Sequence, residues 1–221
     1  EQPEHVFLVG GLGIDNINRL KLIERNILEA DLGFKFDKRN LLITFHPVTL
    51  EKASSVKQMQ ELLVALGKLE ETQLIFTMPN ADTDGRALIK MVEKFTSHHS
   101  NAHAFTSLGQ LRYLSCLAQV DGVVGNSSSG LVEVPSFKKG TINIGDRQRG
   151  RLQATSVINC EPMHKNISNA IGTLYSSNFQ MNLSQVCNPY GEGGASGEIV
   201  KIIKSVRLDG LIKKIFHDVS I

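Results

Sequence analysis

The feature that most constrains this chain is a rhythm in its apolar residues. Short runs that suit buried strands alternate with longer stretches whose apolar residues recur at helical spacing. The runs are His5 to Val9 (HVFLV), Asn40 to Phe45 (NLLITF), Gln73 to Met78 (QLIFTM), Ala102 to Phe105, Asp121 to Val124 (DGVV) and Gly140 to Ile144 (GTINI). The helical set after the first run passes through Ile14, Ile17, Leu20, Ile23, Ile27 and Leu28, and the set within 51–69 uses Val56, Met59, Leu62, Leu63 and Leu66. Leu88, Ile89, Val92 and Phe95 mark a helix over 83–97, and another covers 108–119. A short helix is expected near Leu131 to Phe137, a small seventh strand at 156–159, and helices at about 165–176, 195–206 and Leu208 to Phe216. Strands that are apolar throughout, with a helix between each and the next, predict an α/β fold, a Rossmann-like three-layer parallel sheet in one domain.

Composition narrows the function classes. With 221 residues, 41% hydrophobic and 21% charged, the chain has enough apolar material for a sizeable core, and disorder, collagen and coiled coil are excluded. Lys and Arg number 24 against 22 Asp and Glu, a net charge of +2. That balance argues for no nucleic-acid and no membrane-surface partner, so an anion must be bound locally. Cys116, Cys160 and Cys187 lack any metal-ligand or disulfide spacing and read as reduced thiols, and no metal cluster is written elsewhere. No apolar run approaches the ~20 residues that span a bilayer, and the charged opening lacks a signal-peptide pattern, so a cytoplasmic protein is expected. There is no initiator methionine, and the strand pattern starts within five residues, as though the chain were cut from something longer.

Ligands of open parallel sheets bind beyond the carboxyl ends of the strands, which directs the search to the loops there. Gly125-Asn126-Ser127-Ser128-Ser129-Gly130 combines small residues, which allow close backbone approach, with hydroxyls that cap the next helix. Ser127 and Ser128 suit a diphosphate, and Glu133 lies about a turn further on, where a carboxylate can hold a ribose diol. Plain N-capping with a solvated Glu133 reads this spacing equally well. Arg147, followed by Arg149 and Arg151, offers a guanidinium fork to phosphate or a solvated cation to water. His46, between an apolar strand and Pro47, can donate to a phosphate or to a sugar leaving oxygen, or serve the fold. Asn80 suits an acetamido group, although Pro-Asn is also a turn pair. Gly10-Gly11-Leu12-Gly13 lacks the spacing and partners of a dinucleotide loop.

Taken in order, FHPVT (45–49), PNAD (79–82), GNSSSGLVEVPSF (125–137), INIGDRQRGR (142–151) and NPYGEGGAS (188–196) resemble the C-terminal half of the hydrolysing UDP-N-acetylglucosamine 2-epimerases. These enzymes begin sialic and related nonulosonic acid synthesis. The opening GLGIDNI (11–17) is similar to the segment where that family's second domain begins, so the resemblance covers nearly the whole chain. Non-hydrolysing 2-epimerases carry Ser-Gly-Gly before the helix and an acidic, Thr-rich segment later, unlike the pattern here. Leu131-Val132 and Lys138-Lys139 depart from the hydrolysing pattern, which points to a modified sugar such as a diacetamido-bacillosamine nucleotide.

The resemblance implies that residues 1–221 are the second Rossmann-like half of a GT-B fold (UDP-glycosyltransferase/glycogen phosphorylase-like), with the first half absent. It implies UDP held by Ser127, Ser128, Glu133 and Arg147, with His46 as the catalytic candidate. Asn80, Phe105 and Asn126 complete the expected substrate-binding set, with no cofactor and no metal. The reaction implied is elimination of UDP to a 2-acetamidoglucal, then hydration to the 2-epimer. The carboxylates that move protons at C2 belong to the first half, so this chain alone is expected to be inactive, and the full-length protein a homo-oligomer. Alternatives are the nucleotide-binding half of a GT-B glycosyltransferase, or a nucleotide-binding module without catalysis.

Overall fold

The computed structural model describes residues 3–48, 55–79 and 83–206. Its strands are β1 (Arg39–Thr44), β2 (Thr72–Thr77), β3 (Ala102–Phe105), β4 (Gly122–Gly125), β5 (Gly140–Ile144) and β6 (Val157–Cys160). They form one sheet in the order β3-β2-β1-β4-β5-β6, with every neighbouring pair parallel. The helices are α1 (Leu12–Arg19), α2 (Arg25–Leu32), α3 (Ser55–Leu66), α4 (Thr83–His98), α5 (Gly109–Gln119), α6 (Ser129–Val132), α7 (His164–Leu174), α8 (Ser177–Asn182) and α9 (Ala195–Ser205). None of the described helices is long and apolar enough to cross a membrane.

The uniformly apolar strands are explained by burial on both faces. Because strand side chains alternate, Leu41, Ile43 and Phe45 join one core with Met59 and Leu62 of α3, Val92 of α4 and Ile167 of α7. Leu42 and Val123 point the other way, into a second core with Leu28 of α2 and Leu114 and Leu117 of α5. The chain winds outward from β1 to β3 and then returns to β4 on the opposite side of β1. The strand order therefore reverses between β1 and β4, and it is there that an open α/β sheet offers a crevice.

The crevice floor is set by a glycine. Gly125 ends β4 at φ +144°, and a Cβ there would lie 1.9 Å from the Thr44 carbonyl oxygen of β1, so no other residue fits. One turn later, Thr141 Oγ1 of β5 donates to the Gly130 carbonyl at 2.6 Å, and a Cβ on Gly130 would lie 2.6 Å from the Thr141 methyl. The short helix α6 thus lies directly on the sheet.

Several expectations need correction. His5 to Val9 is not a strand: Pro3–His5 form a 3₁₀ turn, and Val6, Phe7 and Leu8 follow without a sheet partner, 64%, 49% and 101% exposed. The central position of the sheet belongs to Arg39–Thr44, flanked on both sides, and apolar content cannot report whether a strand neighbour is within reach. The first long helix is two, because Leu20 turns to an extended ψ of 130° before α2 begins. The helix near 131–137 is α6 followed by a 3₁₀ turn over Val134–Phe137, where Pro135 lacks the N–H that a continuing helix requires. Helix α8 was unforeseen, and the expected helix Leu208 to Phe216 lies outside the described residues.

Two helices receive their N-terminal caps from remote carboxylates. Asp15 of α1, 5% exposed, accepts from the amides of Gly194 (2.6 Å), Ala195 (3.2 Å) and Ser196 (2.7 Å) at the start of α9, and from the Ser196 hydroxyl. Glu61 of α3 accepts from the His164 amide at 2.7 Å and lies 2.7 Å from its Nδ1, at the start of α7. A carboxylate placed there answers orphan donors and the positive end of the helix dipole.

Two predictions follow from these contacts. Gly125→Ala should cost about 3 kcal/mol or more in urea unfolding, from steric overlap and a disfavoured φ, whereas Gly172→Ala in α7, with open space around it, should gain roughly 0.4–1 kcal/mol. Asp15 is held below its ordinary pKa by hydrogen bonds, first from the Ser196 hydroxyl, so its stabilisation is full above the unfolded value near ~4 and is lost as pH falls through the folded value. Asp15→Asn should lower the melting temperature at pH 7, and the gap to wild type should narrow in thermal melts taken below about pH 4.

Candidate functional site

The strand-end loops converge on the β1/β4 crevice, and Asn126 organises them. It is fully buried, and its carboxamide is spent on the backbone of His46: Oδ1 accepts from the His46 amide at 2.7 Å, and Nδ2 donates to the His46 carbonyl at 2.9 Å. Its own amide donates to the Thr44 carbonyl at 3.2 Å. Past the last residue of each strand the sheet ladder has ended, and this side chain continues it, fixing where His46 leaves β1. Asn126, expected to contact a ligand, gives one N–H and one lone pair of its carboxamide to the His46 backbone and so positions that backbone.

The Asn126 carbonyl in turn accepts two side chains from the loop after β5. Arg147 Nη1 donates at 3.0 Å and Gln148 Nε2 at 2.8 Å. Arg147 is exposed, so its guanidinium is anchored at one corner and open at the others, while Gln148 is 2% exposed. Arg149 and Arg151 are also exposed, with amides bonded to the Asp146 and Gln148 carbonyls. Ser127 and Ser128 follow Asn126 as partly exposed residues, and Ser127 Oγ accepts weakly from the Ser129 amide at 3.4 Å. His46, Ser127, Ser128 and Arg147 are therefore gathered around one buried residue.

A cleft of about 510 Å³ opens beside this cluster, between the ends of β1, β2 and β3 and the first turn of α5. Thr44 and Thr77, whose hydroxyls are 2.6 Å apart, form its floor, and Thr106, Ser107, Tyr113, Ser129 and Glu133 line its walls. Ser129 gives its hydroxyl proton to Glu133 Oε2, and Tyr113 OH lies 2.6 Å from the same Ser129 oxygen. A serine has one proton to give, so Tyr113 is the donor in that pair. Burial holds the Tyr113 hydroxyl well above its ordinary pKa, so it stays protonated and able to donate. Glu133 thereby stands as an oriented carboxylate. A Cβ added at Gly13 would lie 3.7 Å from its other oxygen, which brings the opening glycine segment to the edge of the site.

The remaining expected residues divide. Phe105 ends β3 with its carbonyl accepting from the Met78 amide at 2.9 Å, and its ring sits 6.4 Å from that of Phe34 in the second core. Asn80 lies outside the described residues. Gly10 and Gly11 form no phosphate loop, because the Gly11 amide is bonded to the Tyr190 carbonyl at 2.8 Å. Sequence reasoning missed Tyr113 and Gln148. Tyr113 shows only as a polar interruption in the α5 pattern, and Gln148 lies between two arginines with nothing to mark its inward turn.

Comparison with known proteins is consistent across sequence and fold. A family model described as UDP-N-acetylglucosamine 2-epimerase matches residues 1–204. A Campylobacter jejuni protein described as a GDP/UDP-N,N'-diacetylbacillosamine 2-epimerase (hydrolyzing) is 37% identical over 220 residues, covering 99% of this chain and 57% of that one. The chain spans just over half the length of the curated relatives it matches. The solved structure of Methanocaldococcus jannaschii UDP-GlcNAc 2-epimerase in complex with UDP-GlcNAc and UDP superposes with a TM-score of 0.70 at 15% identity, over 92% of this chain and 56% of that one. Sucrose-phosphate synthase from Thermosynechococcus elongatus shares the fold more distantly, at a TM-score of 0.53 and 14% identity over 88% of this chain and 50% of that one. On the family match, which extends over nearly its whole length, this chain belongs to the UDP-N-acetylglucosamine 2-epimerase family.

Proposed function

We propose that this chain is the nucleotide-holding half of a hydrolysing UDP-sugar 2-epimerase of the cytoplasm, working with a first Rossmann-like half. The observation that carries the reading is the gathering of His46, Ser127, Ser128 and Arg147 at the β1/β4 crevice, next to a cleft with an oriented Glu133. In this reading the diphosphate lies against the Ser127 and Ser128 hydroxyls, with the open corners of Arg147 toward its oxygens. The ribose diol is taken by Glu133, the base enters the cleft toward Thr106 and Ser107 near Phe105, and Asn80 is kept as a sugar contact on its residue type alone. His46 stands where charge develops on the leaving diphosphate, and Arg147 shares that role.

The chemistry follows from that placement. The C1–O bond to UDP breaks as a proton leaves C2, giving a C1–C2 double bond; water then returns a proton to C2 from the opposite face and a hydroxyl to C1. The groups that move the C2 proton are assigned to the first half. The C. jejuni relative is named for a di-N-acetylated sugar, which supports a modified N-acetylhexosamine as the substrate class, and an Escherichia coli relative is named for polysialic acid biosynthesis, which supports a place in sialic or related acid synthesis. A GT-B glycosyltransferase is separated by incubating the full-length protein with the UDP-sugar and no acceptor: release of UDP with the free 2-epimer supports the epimerase, and turnover only with an acceptor refutes it.

Two outcomes are expected. In deuterated water the full-length protein should yield product carrying deuterium at C2, read by mass spectrometry, and retention of the original hydrogen would rule out elimination. The chain alone should bind UDP weakly by calorimetry, with GDP titrated alongside, and Glu133→Gln should weaken UDP binding by about 1–3 kcal/mol. That loss should be much smaller for the 2′-deoxy analogue; an equal loss would remove Glu133 from the ribose.

A further inference from the structure

We propose that Asn126 and Gln148 act as one positioning unit that sets His46 and Arg147 relative to each other for the diphosphate. The inference rests on the nucleotide-holding reading above and adds to it a positioning role for two buried residues.

Asn126 stands between His46 and Arg147. Its carboxamide closes a two-bond ring with the His46 backbone, and its carbonyl receives Arg147. A displacement of Asn126 therefore moves both groups together. Two features hold it: the tight passage of Gly125 over Thr44 from below, and Gln148 from the side, through a bond of 2.8 Å to the same carbonyl that takes Arg147. With two donors on one carbonyl oxygen, each lone pair is committed, and the Arg147 donor is confined to the remaining direction.

Gln148 is retained there against its own cost. It is 2% exposed, and its Oε1 is buried with no hydrogen-bond partner among the described residues. A buried carbonyl oxygen left without a donor destabilises a fold, so a stability role alone is better served by an apolar side chain of the same volume. What a methionine cannot supply is the N–H to Asn126. The geometry thus separates the contribution of Gln148 to stability from its contribution to the site.

The unit acts where the second phosphate lies, which gives a signature that general loosening does not. In the 221-residue chain, dissociation constants for UDP and UMP are measured by calorimetry for wild type and Gln148→Met, with thermal midpoints recorded for both. The wild type should prefer UDP. Gln148→Met should keep its UMP affinity and its midpoint, and lose roughly three- to tenfold of the preference for UDP, as expected when one neutral hydrogen bond stops orienting the phosphate partners. Gln148→Leu makes the same removal with a branched side chain and serves if methionine does not fold. An unchanged UDP preference, an equal loss for UMP and UDP, or failure of both variants to fold overturns the positioning role while leaving the nucleotide site standing. A wild-type chain that binds neither nucleotide overturns the nucleotide-holding reading, and this inference with it.

Discussion

The site depends on one close passage. Where β1 and β4 leave the sheet on opposite sides of the strand-order reversal, Gly125 passes the Thr44 carbonyl so tightly that a single methyl group would not fit. That passage brings Asn126 beneath His46, and the Asn126 side chain then does what the ladder can no longer do: it supplies one donor and one acceptor to a backbone that has run out of strand partners. Aspartate would supply acceptors only and an apolar residue neither, so the choice of side chain follows from the two groups it must answer. Each bond contributes about 0.5–1.5 kcal/mol, and leaving either group buried and unmade costs more.

From that point the site is built in two parts with different physics. The part near His46 and Arg147 is fixed by hydrogen bonds to the Asn126 side chain and carbonyl. The cleft beside it is lined largely by hydroxyls, and the Glu133 carboxylate in its wall is held by a relay of side chains, Tyr113 to Ser129 to Glu133. Orientation settled in advance lowers the ordering cost of a ligand.

Much of this was legible in the sequence, and the reasons are physical. Strands buried on both faces must be apolar throughout, so five of the expected runs, from Asn40 to Ile144, found their places in the sheet to within a residue or so. The loop at 125–130 was marked by small residues, and His46 by the proline that ends its strand. Three things were not legible. HVFLV has the propensity of a strand, but whether a neighbour is available is a property of the whole sheet. Asn126 and Gln148 look like loop residues until the fold turns them inward. Asp15 reads as an ordinary first-turn acid of α1, and only the fold shows that the helix it caps is α9.

That last contact has a bearing on how the domain assembles. The helix α9 buries only Ala195 and has its first amides answered by a residue some 180 positions earlier in the chain. Little within its own sequence nucleates it, and the loop that must close before its cap exists is almost the length of the domain. The order of events is thereby constrained: the sheet and its two cores can form from contacts between successive units, whereas α9 waits until α1 is seated. By the same logic a displaced Asp15 would leave the first amides of α9 unanswered, so α1 and α9 are held to each other through a single carboxylate.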